Sequence, residues 1–418
     1  MTSRALVLAA LAVSLLALAA PAAADGDIDF SFTTTFRAYD YVDEAGDAVR
    51  FRSLSPSLLV SGQDVLAHGV GFEAKVRRLD DLEDDRKGEH ELLFGAVTWR
   101  SPRGRAECAF GRQLLEQGIG YLIVDGVRAT VRPGSFELGV ASGFGFEHGG
   151  RMHEGAPFAS LLARWQAGHR AFVSGSVEYG RDDHTEVLFK DGLSGGLRLG
   201  RGDLRAVLVY DHAVGELDEA SGELKLALGP DTLHLEASRI HPHFDPTTIW
   251  NVFNSGPYDR YSVRIRHPLG TVLDLWARYE RRAYFHLDKP GAPEPAQRPS
   301  TDMFNLGFGS PRRAPLAWQA ELFFNGGFGG LRTGASVRIG RELGFFPGRL
   351  DGGIDLRAYN RGIRDPRQDL TTAYWAELQA RLGKHARLRV RAEDYRNGYV
   401  LDDFGVTVKL DFASSEGL

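Results

Sequence analysis

Apolar and polar residues alternate with a period of two along nearly the whole chain. In RAECAFGRQ, Ala106, Cys108 and Phe110 share one parity and Arg105, Glu107 and Ala109 take the other. Val127, Ala129 and Val131 alternate with Arg128, Thr130 and Arg132, and beyond Pro133-Gly134 the set Phe136, Leu138, Val140 opposes Glu137, Gly139, Ala141. A period of two is the signature of a strand with unlike faces; a helix would repeat every 3.6 residues. From Asp27 onward Phe30, Phe32, Thr34, Phe36 and Ala38 oppose Ser31, Thr33, Thr35 and Arg37. Similar runs follow near 47–60, 69–79, 90–100, 104–112, 125–132, 134–144, 157–165, 170–180, 185–199, 203–211, 222–228, 231–239, 258–267 and 270–281. They resume near 302–309, 315–325, 330–340, 350–360, 371–382, 385–394 and 403–412.

The links between runs also alternate. Ser101–Gly104, Arg132–Gly134, Ala167–His169, Gly200–Asp203, Gly229–Asp231, His267–Gly270 and Gly383–Lys384 are short. Asp80–His90, Gln113–Val124, Gly145–Pro157, His212–Ser221, Ile240–Pro257, Arg282–Ser300 and Arg361–Leu370 are longer and mostly polar. Together these features predict an all-β fold: a transmembrane antiparallel up-and-down β-barrel with short periplasmic turns and longer extracellular loops. The runs give about 22 strands, or roughly 16 to 20 if weak ones such as 185–192 and 222–228 are loop. The last run, Phe404, Val406, Val408, Leu410 and Phe412, resembles the aromatic-ended terminal strand of outer-membrane barrels, apart from the tail Ala413–Leu418.

The opening MTSRALVLAALAVSLLALAAPAAADG changes the address. Arg4, an apolar core from Ala5 to about Ala20 and the small residues Ala22-Ala23-Ala24 read as a secretory signal peptide over 1–24. Residues 25–418 are then one barrel domain, and the expected location is the bacterial outer membrane, among its lipids and lipopolysaccharide. No other stretch reaches the roughly 18 apolar residues that a membrane helix needs.

Composition adds less. Fifty basic residues face 55 acidic ones, a net charge of −5, which excludes a strongly basic nucleic-acid binder. Fifty glycines and 11% aromatics suit many turns and aromatic girdles. The single cysteine, Cys108, forbids an intrachain disulfide and reads as a small hydrophobe on an apolar face. No Cys-x-x-Cys-His, Gly-x-Ser-x-Gly or His-Glu-x-x-His occurs, so neither a bound cofactor nor an enzyme is expected.

The segment FGRQLLEQGIGYLIVDGVRATVRPG resembles one that recurs in alginate-export-like outer-membrane porins, through Gly111, Arg112, Gln113, Asp125, Gly126 and Arg128. In that family Gly-Arg-Gln closes a strand, a short loop follows, and Asp-Gly opens the next. The resemblance implies a passive channel for an anionic or polar solute, with selectivity from lumen arginines. It also implies roughly eighteen strands, fewer than the runs counted here.

Placing the polar parity inward puts many arginines in the lumen, and only seven of the basic residues are lysines. The selectivity candidates are Arg128, Arg132, Arg264, Arg266, Arg278, Arg381, Arg387, Arg389 and Arg391. Rings of arginine select anions in pores, because the guanidinium stays charged and recognises carboxylate or phosphate with a fork of donors. The same parity carries Glu107, Glu137, Asp274, Glu280, Glu377 and Glu393, so the charges could instead form cross-strand ladders that stiffen the wall. His241, His243 and Asp245 have ligand-like spacing but no fourth partner, and the acidic run Asp80–Asp85 lacks calcium-loop spacing; no metal site is expected.

Two functions fit these features. One is a diffusion channel for small polar or anionic solutes, constricted by the long links Ile240–Pro257 and Arg282–Ser300. The other is a barrel sheath whose lumen houses a protein partner such as a multihaem cytochrome, suggested by the lack of any plug-sized domain.

Overall fold

The structure is a computed structural model. It describes residues 28–42, 48–65, 67–82, 89–116, 119, 121–145, 155–181, 187–213, 215–240, 257–285, 300–311, 314, 316–327, 330–344, 346–360, 368–396 and 403–413. The expected signal peptide and the long links Ile240–Pro257 and Arg282–Ser300 fall almost wholly outside them, as do His241, His243 and Asp245.

The first seven strands are β1 (Ile28–Val42), β2 (Ala48–Gly62), β3 (Val70–Asp81), β4 (Glu89–Arg100), β5 (Ala106–Glu116), β6 (Tyr121–Val131) and β7 (Phe136–Gly145). The next eight are β8 (Pro157–Ala167), β9 (Ala171–Arg181), β10 (Val187–Leu199), β11 (Gly202–Asp211), β12 (Glu216–Leu228), β13 (Asp231–Ile240), β14 (Tyr258–Leu269) and β15 (Leu273–Tyr284). The last seven are β16 (Ser300–Gly309), β17 (Leu316–Gly327), β18 (Gly330–Leu343), β19 (Gly348–Asn360), β20 (Gln368–Arg381), β21 (Ala386–Arg396) and β22 (Asp403–Ala413). Each pairs antiparallel with its chain neighbours, and β1 pairs with β22 from Ser31↔Ala413 to Tyr41↔Asp403, which closes a 22-stranded barrel. The count exceeds the roughly eighteen strands that the family resemblance implies.

The two faces of this sheet meet different surroundings. Phe110 (69% exposed), Leu161, Leu193, Leu322 and Ile339 lie on the outer parity, and more than half the surface of each is uncovered. A continuous apolar face of this kind is stable only against acyl chains, so the barrel spans a membrane. Aromatic residues border the band. Trp99, Phe136, Trp165 and Phe308 lie towards the end with the short turns, and Tyr179, Phe189, Tyr210 and Tyr261 towards the other.

At the long-loop end the outer face becomes ionic. Arg52–Asp40 (2.7 Å), Arg78–Asp80 (2.7 Å), Arg239–Asp259 (2.8 Å), Arg281–Asp302 (3.9 Å) and Arg396–Asp394 (3.1 Å) sit there, as does His212 against Asp191. Pairs of this sort are worth little in water, and their use here is to mark where the hydrocarbon ends.

Two expected loops are mostly strand. β5 and β6 extend through most of Gln113–Val124, and β12 starts at Glu216, inside His212–Ser221. The weak run 222–228 belongs to β12, and the described part of 185–192, from Val187 on, to β10. In β12 the cause is a bulge: Val209 pairs with Glu219 and Tyr210 with Leu217, so Asp218 has no opposite residue and the alternation slips there.

Candidate functional site

The inner wall is built by register. Arg264 pairs with Arg278 and Arg260 with Arg282 between β14 and β15, all on the parity of Ser262 and Glu280 and opposite to Val263 and Tyr279. Arg381 pairs with Arg387 between β20 and β21, and Arg389 with Lys409 between β21 and β22. The other predicted arginines, Arg128, Arg132, Arg266 and Arg391, keep the same inward parity.

Ion pairing divides these arginines into two groups. Glu107 sits 3.0 Å from Arg128 and 3.5 Å from Arg132, and Arg132 also reaches Glu137 at 3.4 Å. Glu280, fully buried, holds Arg278 on one side and Arg282 on the other at 2.7 Å. Arg266 pairs with Asp274, and Arg391 with Glu393 at 3.0 Å. These arginines form ladders of the wall-stiffening kind. Arg264, Arg381 and Arg387 have no carboxylate within ion-pair distance among the described residues, and Arg389 stands 3.8 Å from Glu377.

Aromatic rings interleave with these charges, and the arginine pattern alone does not announce them. Phe172, Trp276, Phe323, Trp375 and Tyr39 each oppose a glycine across a strand pair: Gly196, Gly307, Gly334, Gly353 and Gly405. A Cβ at any of these glycines would collide with the ring, so each ring lies down against the neighbouring backbone. Guanidinium groups stack on three of them: Arg164 at 4.7 Å from the Phe172 centroid, Arg332 at 5.1 Å from Phe323 and Arg391 at 4.8 Å from Trp375. The sequence carried only the inward-parity aromatics themselves; the glycines they face lie at unequal separations along the chain, so the pairing needs the register to be read.

A second inward group is buried and ionic. Lys190 of β10 lies 3.0 Å from Asp211 and 2.6 Å from Asp218, and Glu178 is its cross-strand partner on β9. All four are under a tenth exposed. The bulge in β12 aims Asp218 at Lys190.

The residues of the family-like motif lie elsewhere than the resemblance implies. Gly-Arg-Gln does not close β5; the strand runs on to Glu116. Arg112 shares the outward parity of Phe110, and its guanidinium makes a two-pronged bond to Asp125 of β6, 2.7 Å at each prong, with a third to the Leu92 carbonyl at 2.9 Å. Gln113 points inward and donates to the Gly126 carbonyl at 3.1 Å. Gly111 has φ +124°, and Gly126 faces Gly143 so closely that a Cβ on Gly126 would lie 2.6 Å from the Gly143 Cα.

No protein-family profile matches this chain, and no curated protein does. Solved structures with a similar course of chain include the translocation pore of the P pilus usher PapC (12% identity, TM-score 0.48), spanning 93% of this chain and 99% of that one. A BenF-like porin from Pseudomonas fluorescens (10%, TM-score 0.49) spans 93% and 99%. OpdK of Pseudomonas aeruginosa, solved with vanillate (12%, TM-score 0.48), spans 93% and 98%.

Proposed function

We propose that the protein is an outer-membrane, porin-like channel for passive diffusion of small polar or anionic solutes, with its arginines supplying anion preference. Residues 1–24 would direct export and be removed, leaving residues 25–418 in the membrane with lipid and lipopolysaccharide around them. The observation that carries this reading is the cross-strand pair Arg381↔Arg387, neither member of which has a carboxylate within ion-pair distance among the described residues, together with Arg264, which faces Arg278 in the same way. Like charges directly opposite in a sheet are destabilising, so a ladder that only stiffened the wall would avoid them. A mobile anion in the bore offsets that repulsion, as arginine rings do in anion pores.

Reversal potentials across a planar bilayer under a potassium chloride gradient test the reading. Anion preference is expected, weakened when Arg264, Arg381 and Arg387 are replaced by Ala. A cation-preferring pore, or preference unchanged in that triple variant, would overturn it. The sheath alternative needs a clear bore along its length, and the buried apolar cluster of Leu115, Leu122, Val124, Ala141 and Phe158 on the inward parity of β5–β8 counts against it.

A further inference from the structure

Outside the bore, the lipid-facing wall is not evenly filled. A groove of about 310 Å³ crosses the outer face of β11 to β15, between Leu204 and Tyr279. Its floor is the row Ala206↔Gly222↔Ala237, joined across β11, β12 and β13. Its wall on the short-turn side is the next outward row, Leu204↔Leu224↔Leu235↔Val263.

Nothing inside the protein requires the glycine in that floor. Gly196, Gly307 and Gly353 seat aromatic rings, whereas a Cβ on Gly222 would meet nothing within 4 Å, and its φ is not positive. A glycine in mid-strand weakens a sheet, and it marks places where a ligand or another chain comes close.

The same row continues past Ala237 to Tyr261, Arg281 and Asp302. It also climbs: Ala206 lies four residues above Gly202 at the short-turn end of β11, whereas Arg281 lies eight above Leu273 in β15. A strand tilt of about 35–45° produces such a rise. The groove therefore leads out of the hydrocarbon to Tyr261, half exposed, and on to the ionic belt. There Arg239 follows Ala237 as the next outward residue of β13, held by Asp259 and lying 4.6 Å from the Phe285 ring centroid. Of the arginine pairs named in that belt, Arg281–Asp302 is the loosest at 3.9 Å, and Asp302 also accepts the Tyr279 hydroxyl at 2.7 Å. Two exposed guanidiniums thus stand at the upper end of an apolar slot.

We propose that this groove is a lipid A site: one saturated acyl chain lies along Ala206, Gly222 and Ala237, and the phosphorylated sugar that carries it rests on Arg281 and Arg239. A guanidinium offers phosphate a fork of charged donors. With the long loops outside, the leaflet at that level is the lipopolysaccharide one. A second barrel is convex, so it would rest on the leucine rim and leave the floor unfilled. The site rests on the outward placement of the long loops, and not on whether the bore conducts.

Native mass spectrometry of the whole barrel in detergent, titrated with bis-phosphorylated lipid A, tests the site. Saturable retention is expected. Gly222→Leu, whose Cβ has open space, fills the groove and should weaken retention roughly tenfold, as should Arg239→Gln combined with Arg281→Gln. Ala335→Leu, on the outer face of β18, is the reference and should change nothing. Lipid A stripped of phosphate should bind the unaltered barrel as weakly as the intact form binds the double arginine variant. Heat-modifiable gel mobility identifies any variant that has not folded, and the comparison of the two lipid A forms needs no variant. Retention unchanged in Gly222→Leu, or lowered equally by Ala335→Leu, overturns the groove as the seat. Equal retention of the two lipid A forms overturns the role of the arginines, and equal retention of phosphatidylglycerol overturns the assignment to lipid A. A lipid-free dimer that Gly222→Leu separates would put a second copy in the groove and overturn the proposal. A barrel that binds lipid A as expected but passes no anions overturns the channel reading alone, while the site stands.

Discussion

At the scale of single residues, parity decides most of what a side chain does. Leu193, on the outer face midway along β10, is 52% exposed to what must be hydrocarbon. Leu193→Arg is expected to destabilise the barrel by about 2–4 kcal/mol, measured by urea unfolding in lipid vesicles. An effect under about 0.5 kcal/mol, the size of an ordinary surface change, would contradict that placement. The same parity rule groups Arg264, Arg278, Arg387 and Arg389 on the face opposite Val263, Tyr279 and Val390. Arg112 also falls on the parity of Phe110, an assignment not made from the sequence, where Gly-Arg-Gln is expected to close the strand. Which arginines keep a carboxylate neighbour was not legible, because Arg128 and Arg264 look alike until the register sets Glu107 beside the first and Arg278 opposite the second.

At the scale of elements, strand existence was readable and strand ends were not. The runs over β14, β15 and β21 alternate cleanly except at their long-loop ends, where Asp259, Arg281 and Asp394 take outward positions, so the positions of the strands follow directly. β12 slips at its bulge, and β5 runs past Gly111, where Leu114 and Leu115 break the simple apolar-polar alternation. Leu115 is buried in a cluster with Leu122, Val124, Ala141 of β7 and Phe158 of β8, while Leu114 remains half exposed; a strand facing a wet bore would have had a polar residue at Leu115. The bulge has its own energetic signature. Lys190 sits among Asp211, Asp218 and Glu178, and Lys190→Met would leave buried carboxylates without their cation. A loss of about 3–5 kcal/mol is expected in urea titrations followed by tryptophan fluorescence. Adding Asp218→Asn should recover part of it. No loss in Lys190→Met would mean that water reaches the group freely.

For the whole molecule, closure follows from an even number of antiparallel strands and the β1–β22 pairing, which leaves no sheet edge to satisfy in the bilayer. The sequence carried the strand number in its run count, but not which inward side chains are covered, since the cluster of Leu115, Leu122, Val124 and Phe158 forms only once the strands are in register. The central claim, that two-residue alternation sorts side chains between lipid and an enclosed aqueous bore, is tested most directly by cysteine scanning along β15 in a Cys108→Ala background. Each position from Leu273 to Tyr284 would be assayed with a water-soluble thiol reagent and, separately, with a nitroxide label in contact with lipid. Leu275, Ala277 and Tyr279 should report lipid, and Asp274, Trp276 and Arg278 water, in strict alternation. A run of neighbours with the same environment, or a mature protein that stays monomeric and soluble without detergent, would contradict it.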